Sequence, residues 1–141
     1  MTRDDFAMIE NFTEREVLRT GADLHMVKFN TLHKLDLFRI TCNRRIKLIK
    51  HGMTSGKHSS IYHPNGEAID FTFYHKDGYV DVSKMFKNAL YTGFKGIGFY
   101  WNSRIISMHL DTGVDYRFWS AEKFLRERKW RYLPLIIDPR D

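Results

Sequence analysis

Cys42 is the only cysteine among the 141 residues, so the chain can form neither an internal disulfide nor a zinc site built from cysteine pairs. Its simplest interpretation is a small buried residue inside a helix. No apolar run approaches the roughly 20 residues that cross a bilayer, so no membrane partner is expected. No basic segment followed by an apolar stretch opens the chain. We therefore expect synthesis in the cytosol without a secretory signal.

Repeats, low-complexity segments and linker-like stretches are also missing, which predicts a single domain over residues 1–141. Hydrophobic residues make up 43% of the chain and aromatic residues 15%, as is typical of a folded globule. The net charge of +6 favours acidic partners such as nucleic acid or an anionic cell-wall polymer. Because the basic residues are dispersed and form no nucleic-acid-binding motif, nucleic acid is not expected as a partner.

Local signals predict two helices and a short strand in the first third of the chain. Thr13 and Glu16 fit a capping box at the start of a short helix, and Gly21 is placed to end it. A second helix is predicted over about 23–41 from its drifting apolar stripe. A short strand over 46–48 then leads into a long polar loop.

The rest of the chain alternates strands with helices. Residues 67–74 alternate between apolar and polar side chains, as in a strand with one buried face. Asp81 is a candidate N-cap for a third helix that Gly93 ends. The further predicted elements are strands over 96–101 and 104–111 joined by a turn at 102–103, a last helix capped by Ser120 and running to about Arg128, and a strand-like or irregular tail over 130–141. The pattern predicts an α+β fold, a small antiparallel sheet with helices packed on it.

Polar side chains interrupt two of these otherwise apolar strands. Asp70 lies within the first, and His109 and Asp111 share one face of the strand over 104–111, because side chains alternate along a strand. Burying an unpaired carboxylate is costly, so Asp70 needs a cation, hydrogen-bond donors or solvent. A bound metal would explain both interruptions, and from spacing alone the alternative is a set of structural histidines with a capped aspartate.

One segment carries a more specific pattern. His63, Gly66, Ala68 and Asp70 fit H-x-x-G-x-A-x-D, which resembles the signature of the zinc D-alanyl-D-alanine carboxypeptidase family. That family includes phage L-alanyl-D-glutamate endolysins and is similar to the hedgehog signalling domain. Further pieces resemble the family pattern in the same order, namely 11–16 (NFTERE), 54–57 (TSGK), 96–100 (GIGFY), 108–113 (MHLDTG) and Trp119. The likeness covers most of residues 11–119.

The resemblance implies a metal site and a reaction. His63, Asp70 and His109 would be the ligands of a zinc ion, the expected cofactor, which would polarise the scissile amide and activate a water. The substrate would be a peptidoglycan stem peptide or another short peptide with D-residues. We expect a monomeric, phage-type lytic or wall-remodelling peptidase that acts at the cell wall, in the periplasm or in a virion.

The sequence departs from the family pattern at the expected general base. Several members carry a glutamate three residues before the last histidine ligand, a position that Ile106 occupies in this sequence. Asp111 is the predicted substitute base, with orientation of His109 as its alternative role. Lys57 stands where the family often has an arginine near the reacting carbonyl, and a lysine lacks the two-pronged fork of that side chain. A solvated loop lysine is the alternative.

Three functional hypotheses follow. Hydrolysis of cell-wall peptides leads, and a zinc-containing binding or structural domain with weak or no turnover is second because of Ile106. Nucleic-acid binding, supported by charge alone, is third. His58 is either an exposed loop histidine or a group that contacts substrate, and Tyr100, Trp101 and Trp119 either wall the cleft or pack in the core.

Overall fold

The computed structural model describes residues 1–58, 60–102, 105–123, 128–133 and 135, and within them the chain forms three α-helices and six strands. The helices are α1 (Glu14–Arg19), α2 (Phe29–Cys42) and α3 (Val82–Tyr91). The strands are β1 (Ile46–Leu48), β2 (Ala68–Phe73), β3 (Gly96–Asn102), β4 (Ile105–Asp111), β5 (Arg117–Lys123) and β6 (Arg131–Leu133). Short 3-10 helices cover Arg3–Met8 and His75–Asp77. This mixture is compatible with the predicted α+β class.

The strands form one sheet in the order β1-β2-β4-β3-β5-β6. Neighbouring strands are antiparallel except β3 and β5, which run parallel, so the prediction of an antiparallel sheet is wrong for that pair. The reason lies in the neighbours of β4. Because β2 and β3 already flank β4, β5 pairs with the free edge of β3. Both β3 and β5 run opposite to β4, so β3 and β5 are parallel to each other.

One face of the sheet carries the apolar core. Ile69, Phe71 and Phe73 of β2 project to this face, as the alternation in the sequence predicts, and all three are buried. The buried side chains that pack with them from other elements include Leu32, Leu35 and Phe38 of α2, Met85 and Ala89 of α3, and Met108 and Leu110 of β4. The helices cover this face. The intervening side chains of β2 and β4 project to the opposite face, because successive side chains alternate along a strand.

Capping interactions fix the ends of α1 and α3 as predicted. The Thr13 hydroxyl accepts from the Glu16 N–H at 3.2 Å, and the Glu16 carboxylate accepts from the Thr13 N–H at 2.7 Å. The Asp81 carboxylate accepts from the Lys84 N–H at 3.1 Å at the start of α3. Beyond the C-termini of α1 and α3, Gly21 and Gly93 adopt positive φ angles.

The second helix begins later than predicted, at Phe29 instead of about residue 23. The Asp23 side chain accepts from the His25 N–H at 3.0 Å, a local turn that competes with helix formation. The N-terminal amine of Met1 then donates to the carbonyl groups of Leu24 and Val27, each at 2.8 Å.

The predicted helix after Ser120 is wrong where the structure describes it. Ser120 lies within β5, between β3 and β6, and its hydroxyl donates to the Leu133 carbonyl at 3.0 Å. Long-range strand pairing therefore outweighs the local capping signal. The remainder of that helix at residues 124–127, residue 103 of the predicted turn, residue 104 at the start of the next predicted strand, and much of the tail (134 and 136–141) lie outside the described residues.

Candidate metal centre

A row of residues crosses the sheet on the face away from the core. Asp70 of β2 pairs with His109 of β4, His109 pairs with Gly98 of β3, and Gly98 pairs with Trp119 of β5. Directly paired residues place their side chains on the same face, a few ångströms apart. The strand register thus brings two of the predicted metal ligands together, with an aromatic ring beyond them.

His63 reaches this row from the loop that precedes β2. The N–H of Asp70 donates to the Gly52 carbonyl at 2.7 Å, which attaches the loop to the strand, and the N–H of Gly66 donates to the His63 carbonyl at 3.0 Å. Gly66 has a φ of +72°, and a Cβ atom there would lie 1.7 Å from the Met26 carbonyl oxygen. The glycine of the sequence motif therefore allows the turn that presents His63.

The three predicted ligands meet in a small triangle of donor atoms. Asp70 Oδ1 lies 2.9 Å from His109 Nδ1 and 3.3 Å from His63 Nε2, and the two nitrogen atoms are 3.2 Å apart. Donor atoms around a tetrahedral zinc ion lie about 3.4 Å apart at the usual bond lengths. The triangle is thus close to the size of three corners of such a site.

The hydrogen bonds behind the two imidazoles direct their lone pairs into this triangle. His63 Nδ1 lies 2.9 Å from the Met53 carbonyl oxygen and donates to it, which leaves a lone pair on Nε2. His109 Nε2 lies 2.7 Å from Asp111 Oδ2, which leaves the lone pair on Nδ1. Two lone pairs and a carboxylate oxygen at this separation repel one another unless a positive charge lies between them. A metal ion or a proton provides it.

The pKa shifts of Asp70 and His109 agree with the need for a positive charge in the triangle. Burial would raise the pKa of Asp70, but hydrogen bonds with His109 and His63 outweigh burial and lower it to about 2. Burial likewise disfavours the imidazolium form, yet Asp111 and Asp70 raise the pKa of His109 to about 8. The site therefore favours positive charge, and two nitrogen ligands with one oxygen ligand suit zinc.

His58 lies beside the triangle. Its ring stacks on His63 with a centroid distance of 3.8 Å and an interplanar angle of 16°, and its Nε2 lies 2.8 Å from the Ser55 carbonyl oxygen. Ligand atoms of His58, His63 and Asp70 lie within 4.8 Å of one another, so this group could hold a metal ion. Imidazole binds a metal in its ring plane, and two nearly parallel stacked rings do not aim at one ion. The His109 ring, inclined at 70° to His63, converges better.

Asp111 lies behind His109, on the side away from the triangle. Its side chain is fully buried, with Oδ2 bound by His109 and Oδ1 accepting from the Gly113 N–H at 2.9 Å and from Arg117 Nη2 at 2.5 Å. These donors lower the pKa of Asp111 against the opposing effect of burial. A Cβ atom on Gly96 would lie 2.0 Å from Asp111 Oδ2, so only glycine leaves room for this carboxylate. The geometry favours orientation of His109 over a role as base.

Lys57 and Ile106 lie apart from the triangle. Lys57 is exposed and does not line the cleft around the triangle. Ile106 projects to the core side of β4, opposite to His109, as the alternation predicts. Among the lysine and arginine side chains that the structure describes, Arg117 lines the cleft, and its guanidinium also packs over the Tyr62 ring at 4.7 Å. The sequence analysis did not identify Arg117. It precedes Trp119 by two positions, and side chains two positions apart in a strand lie on the same face, so this spacing was the available signal.

The triangle forms part of the wall of an open cleft of about 650 Å³. The side chains that line it are His58, Ser60, Ile61, Tyr62, His63, Asp70, Tyr100, His109, Arg117, Trp119 and Tyr132. Tyr100 and Trp119 therefore lie at the cleft, as one of the two sequence interpretations holds. Asp70 is the one carboxylate on this lining within the part of the chain that the structure describes.

Comparison with models of protein families, with curated proteins and with solved structures finds no match for this chain. Among the described residues, no helix combines the length and the apolar character required to cross a bilayer.

Proposed function

We propose that this chain is a zinc metallopeptidase that hydrolyses peptidoglycan stem peptides, as a phage-type lytic or wall-remodelling enzyme. The observation that carries the proposal is the triangle formed by His63 Nε2, Asp70 Oδ1 and His109 Nδ1 in an open cleft. Three protein ligands with room for a fourth, non-protein ligand are the mark of a catalytic zinc site. The resemblance of the motif around His63 and Asp70 supports the choice of substrate.

At such a site, some residues of the chain would bind the ion and others would orient the ligands. His63, Asp70 and His109 would hold the ion, and the Met53 carbonyl and the Asp111 carboxylate would keep both imidazoles in the required tautomer. Zinc bound there would supply Lewis acidity, which polarises the scissile carbonyl and activates a water for attack. We choose His109 over His58 as the third ligand because its ring converges with that of His63.

The cleft suits a short peptide. Its volume of about 650 Å³ lies within the range of small-molecule sites, and aromatic side chains provide apolar walls beside a few polar groups. The net charge of +6 favours association with an anionic wall. We further propose that the protein acts at the wall, in the periplasm or in a virion, as a monomer.

A specific observation favours a second candidate function, a zinc-containing binding or structural domain with weak or no turnover. Ile106 occupies the position of the usual glutamate base and faces the core. Among the described residues that line the cleft, Asp70 is the only carboxylate, and as a ligand it is not free to act as a base. This candidate keeps the metal and the peptide-binding cleft and lacks efficient proton transfer.

Metal analysis of the purified protein tests the centre. We expect one equivalent of zinc in wild type and its loss in His63→Ala, Asp70→Ala and His109→Ala. The matched control is His25→Ala, which removes an exposed imidazole far along the chain from the site. Zinc retained by all three ligand variants, with the fold intact by circular dichroism, would refute the proposed centre.

Release of amino groups from purified peptidoglycan tests the reaction. Zinc-loaded wild type should release new amino groups, and the metal-free protein should not. Zinc-loaded protein that binds stem peptide without cleaving it would favour the second candidate. If zinc-loaded protein neither binds nor cleaves stem peptides, the proposed substrate is wrong.

A further inference from the structure

The hydroxyl group of Tyr100 occupies a defined position in the cleft. Tyr100 lies on β3, on the same face as Gly98, and its strand neighbours on this face are Ser107 of β4 and Ala121 of β5. These small neighbours leave space for the phenol ring over the sheet. The ring lies edge to face against Trp130, with centroids 5.0 Å apart.

A hydrogen bond from Trp119 determines how this hydroxyl can act. The indole Nε1–H of Trp119 donates to the Tyr100 oxygen at 2.6 Å. An indole can only donate, so the Tyr100 oxygen is the acceptor and its own proton must point elsewhere. Tyr100 therefore keeps its proton for a second partner. Within the protein the neighbouring Tyr132 hydroxyl can accept it, and a substrate oxygen in the cleft, which both tyrosines line, can compete for it.

The same contact places the hydroxyl close to the metal ligands. A Cβ atom on Gly98 would lie 2.5 Å from Trp119 Nε1, so the indole nitrogen lies directly over this glycine. Gly98 is the direct strand partner of His109, and the rings of Trp119 and His109 have centroids 5.0 Å apart. The Tyr100 hydroxyl, one hydrogen bond away from the indole nitrogen, thus lies over the strand next to His109.

The two basic side chains considered for this role are less suited to donate to a substrate. Arg117 directs Nη2 at Asp111 and Nε at the Asp115 carbonyl, and Lys57 lies outside the cleft. Ser60, Tyr62 and Tyr132 also bring hydroxyl groups to the cleft lining, and the Trp119 ring that holds the Tyr100 oxygen is the one that packs beside His109. Among these hydroxyl groups, we select Tyr100 because its contact with Trp119 places it over the strand next to His109.

We propose that the Tyr100 hydroxyl donates a hydrogen bond to the substrate oxygen that becomes negative when water adds to the scissile carbonyl, with Trp119 as its positioning residue. This inference rests on the proposed function. As the water oxygen forms its bond to the carbonyl carbon, the electron pair of the C=O π bond moves to the carbonyl oxygen, and Tyr100 stabilises that charge without giving up its proton.

The environment of Tyr100 keeps the hydroxyl protonated. Burial raises its pKa to about 12, the Trp119 N–H lowers it, and the neighbouring Tyr132 and the charge of Asp70 add to the rise. The phenol therefore remains a donor at every pH at which the protein is expected to work. This is the property that stabilisation of a developing anion requires.

The experiment compares Tyr100→Phe with wild type in two measurements on the zinc-loaded proteins. The first is the affinity for acetohydroxamic acid, measured by calorimetry, because this probe binds metals through an anionic oxygen and does not depend on the peptide sequence. We expect about a 10-fold or greater loss of affinity with unchanged zinc content. The second is hydrolysis, where kcat should fall about 100-fold with little change in KM.

Two further variants complete the test. Tyr91→Phe makes the same chemical change at an exposed position of α3, and it should leave both measurements at the wild-type value. Trp119→Phe keeps the phenol but removes the donor that orients it, so hydroxamate affinity should fall in the same direction and by less. This variant also reports on the inference if Tyr100→Phe does not fold.

The outcomes separate this inference from the proposed function. Equal hydroxamate affinity in wild type and Tyr100→Phe, with zinc bound to both, would overturn the role of Tyr100 alone. A weaker hydroxamate complex in a protein that cleaves no peptide would support the donor role and refute the peptidase. A wild-type protein that binds no zinc would overturn both.

Discussion

The carboxylate of Asp111 is fully buried, and burial of a charge is unfavourable unless partners replace its hydration. His109, Gly113 and Arg117 supply these partners, from β4, from the turn after it and from β5. The ionised carboxylate in turn fixes the tautomer of His109. A single buried residue thus links the candidate metal centre to β5.

The substitution Asp111→Asn tests this role. An amide keeps the shape but weakens the interactions with His109 and Arg117, so zinc affinity should fall about 10- to 100-fold, as for other groups that orient a metal ligand. Competition with a chromogenic chelator measures this affinity, and turnover at saturating zinc should be largely retained. Unchanged zinc affinity together with loss of turnover would instead identify Asp111 as the base.

At the scale of elements, β3 makes room for the site through its glycines. Side chains from β4 and β5 occupy the space over Gly96 and Gly98, where a Cβ atom would lie within 2.0–2.7 Å of Asp111 or Trp119. Such distances require a rigid aromatic ring or a hydrogen-bonded carboxylate to move. The G-x-G spacing in the sequence therefore has a steric cause in the neighbouring strands.

The substitution Gly98→Ala should displace the Trp119 ring from its place over β3. We expect a loss of about 1–3 kcal/mol in the free energy of unfolding, measured with urea, because an extra methyl group overpacks the site. The matched control is the same Gly98→Ala change made in a Trp119→Val protein, because the smaller side chain leaves space for the added methyl group. An equal loss in both backgrounds would show that the clash with Trp119 is not the cause.

Local interactions account for the elements that the sequence predicted well. The capping box of Thr13 and Glu16 and the cap of Asp81 act over three residues, so they are visible in the sequence and hold in the structure. Ser120 shows the limit of this reasoning. It has the same capping chemistry, but β3 and β6 on either side recruit it into a strand.

At the scale of the whole molecule, the candidate centre joins parts of the chain that are distant in sequence. His63 belongs to a loop, Asp70 to β2 and His109 to β4, and strand pairing joins only the last two directly. A ligand that binds the folded state but not the unfolded state shifts the folding equilibrium by mass action. Zinc should therefore stabilise the entire fold.

Thermal unfolding with and without zinc measures this coupling. At zinc concentrations about 100 times the dissociation constant, the free energy of unfolding should rise by about 2.7 kcal/mol, and a chelator should reverse the effect. His109→Ala should lose this response, while His25→Ala, with an exposed histidine, should keep it. A melting temperature that does not depend on zinc would contradict a metal site between the loop and the sheet.

The sequence by itself determined the features that depend on neighbours along the chain. The alternation of apolar and polar residues in β2 placed Asp70 on the face away from the core. The alternation of side chains along β4 placed His109 and Asp111 on one face. The tertiary structure alone decided which groups meet across the sheet. The pairing of β3 with β5 brings Arg117 to Asp111 and Trp119 to His109, and stacking brings His58 onto His63. These contacts depend on strand order and loop path, which act between distant residues and leave no local periodicity to read.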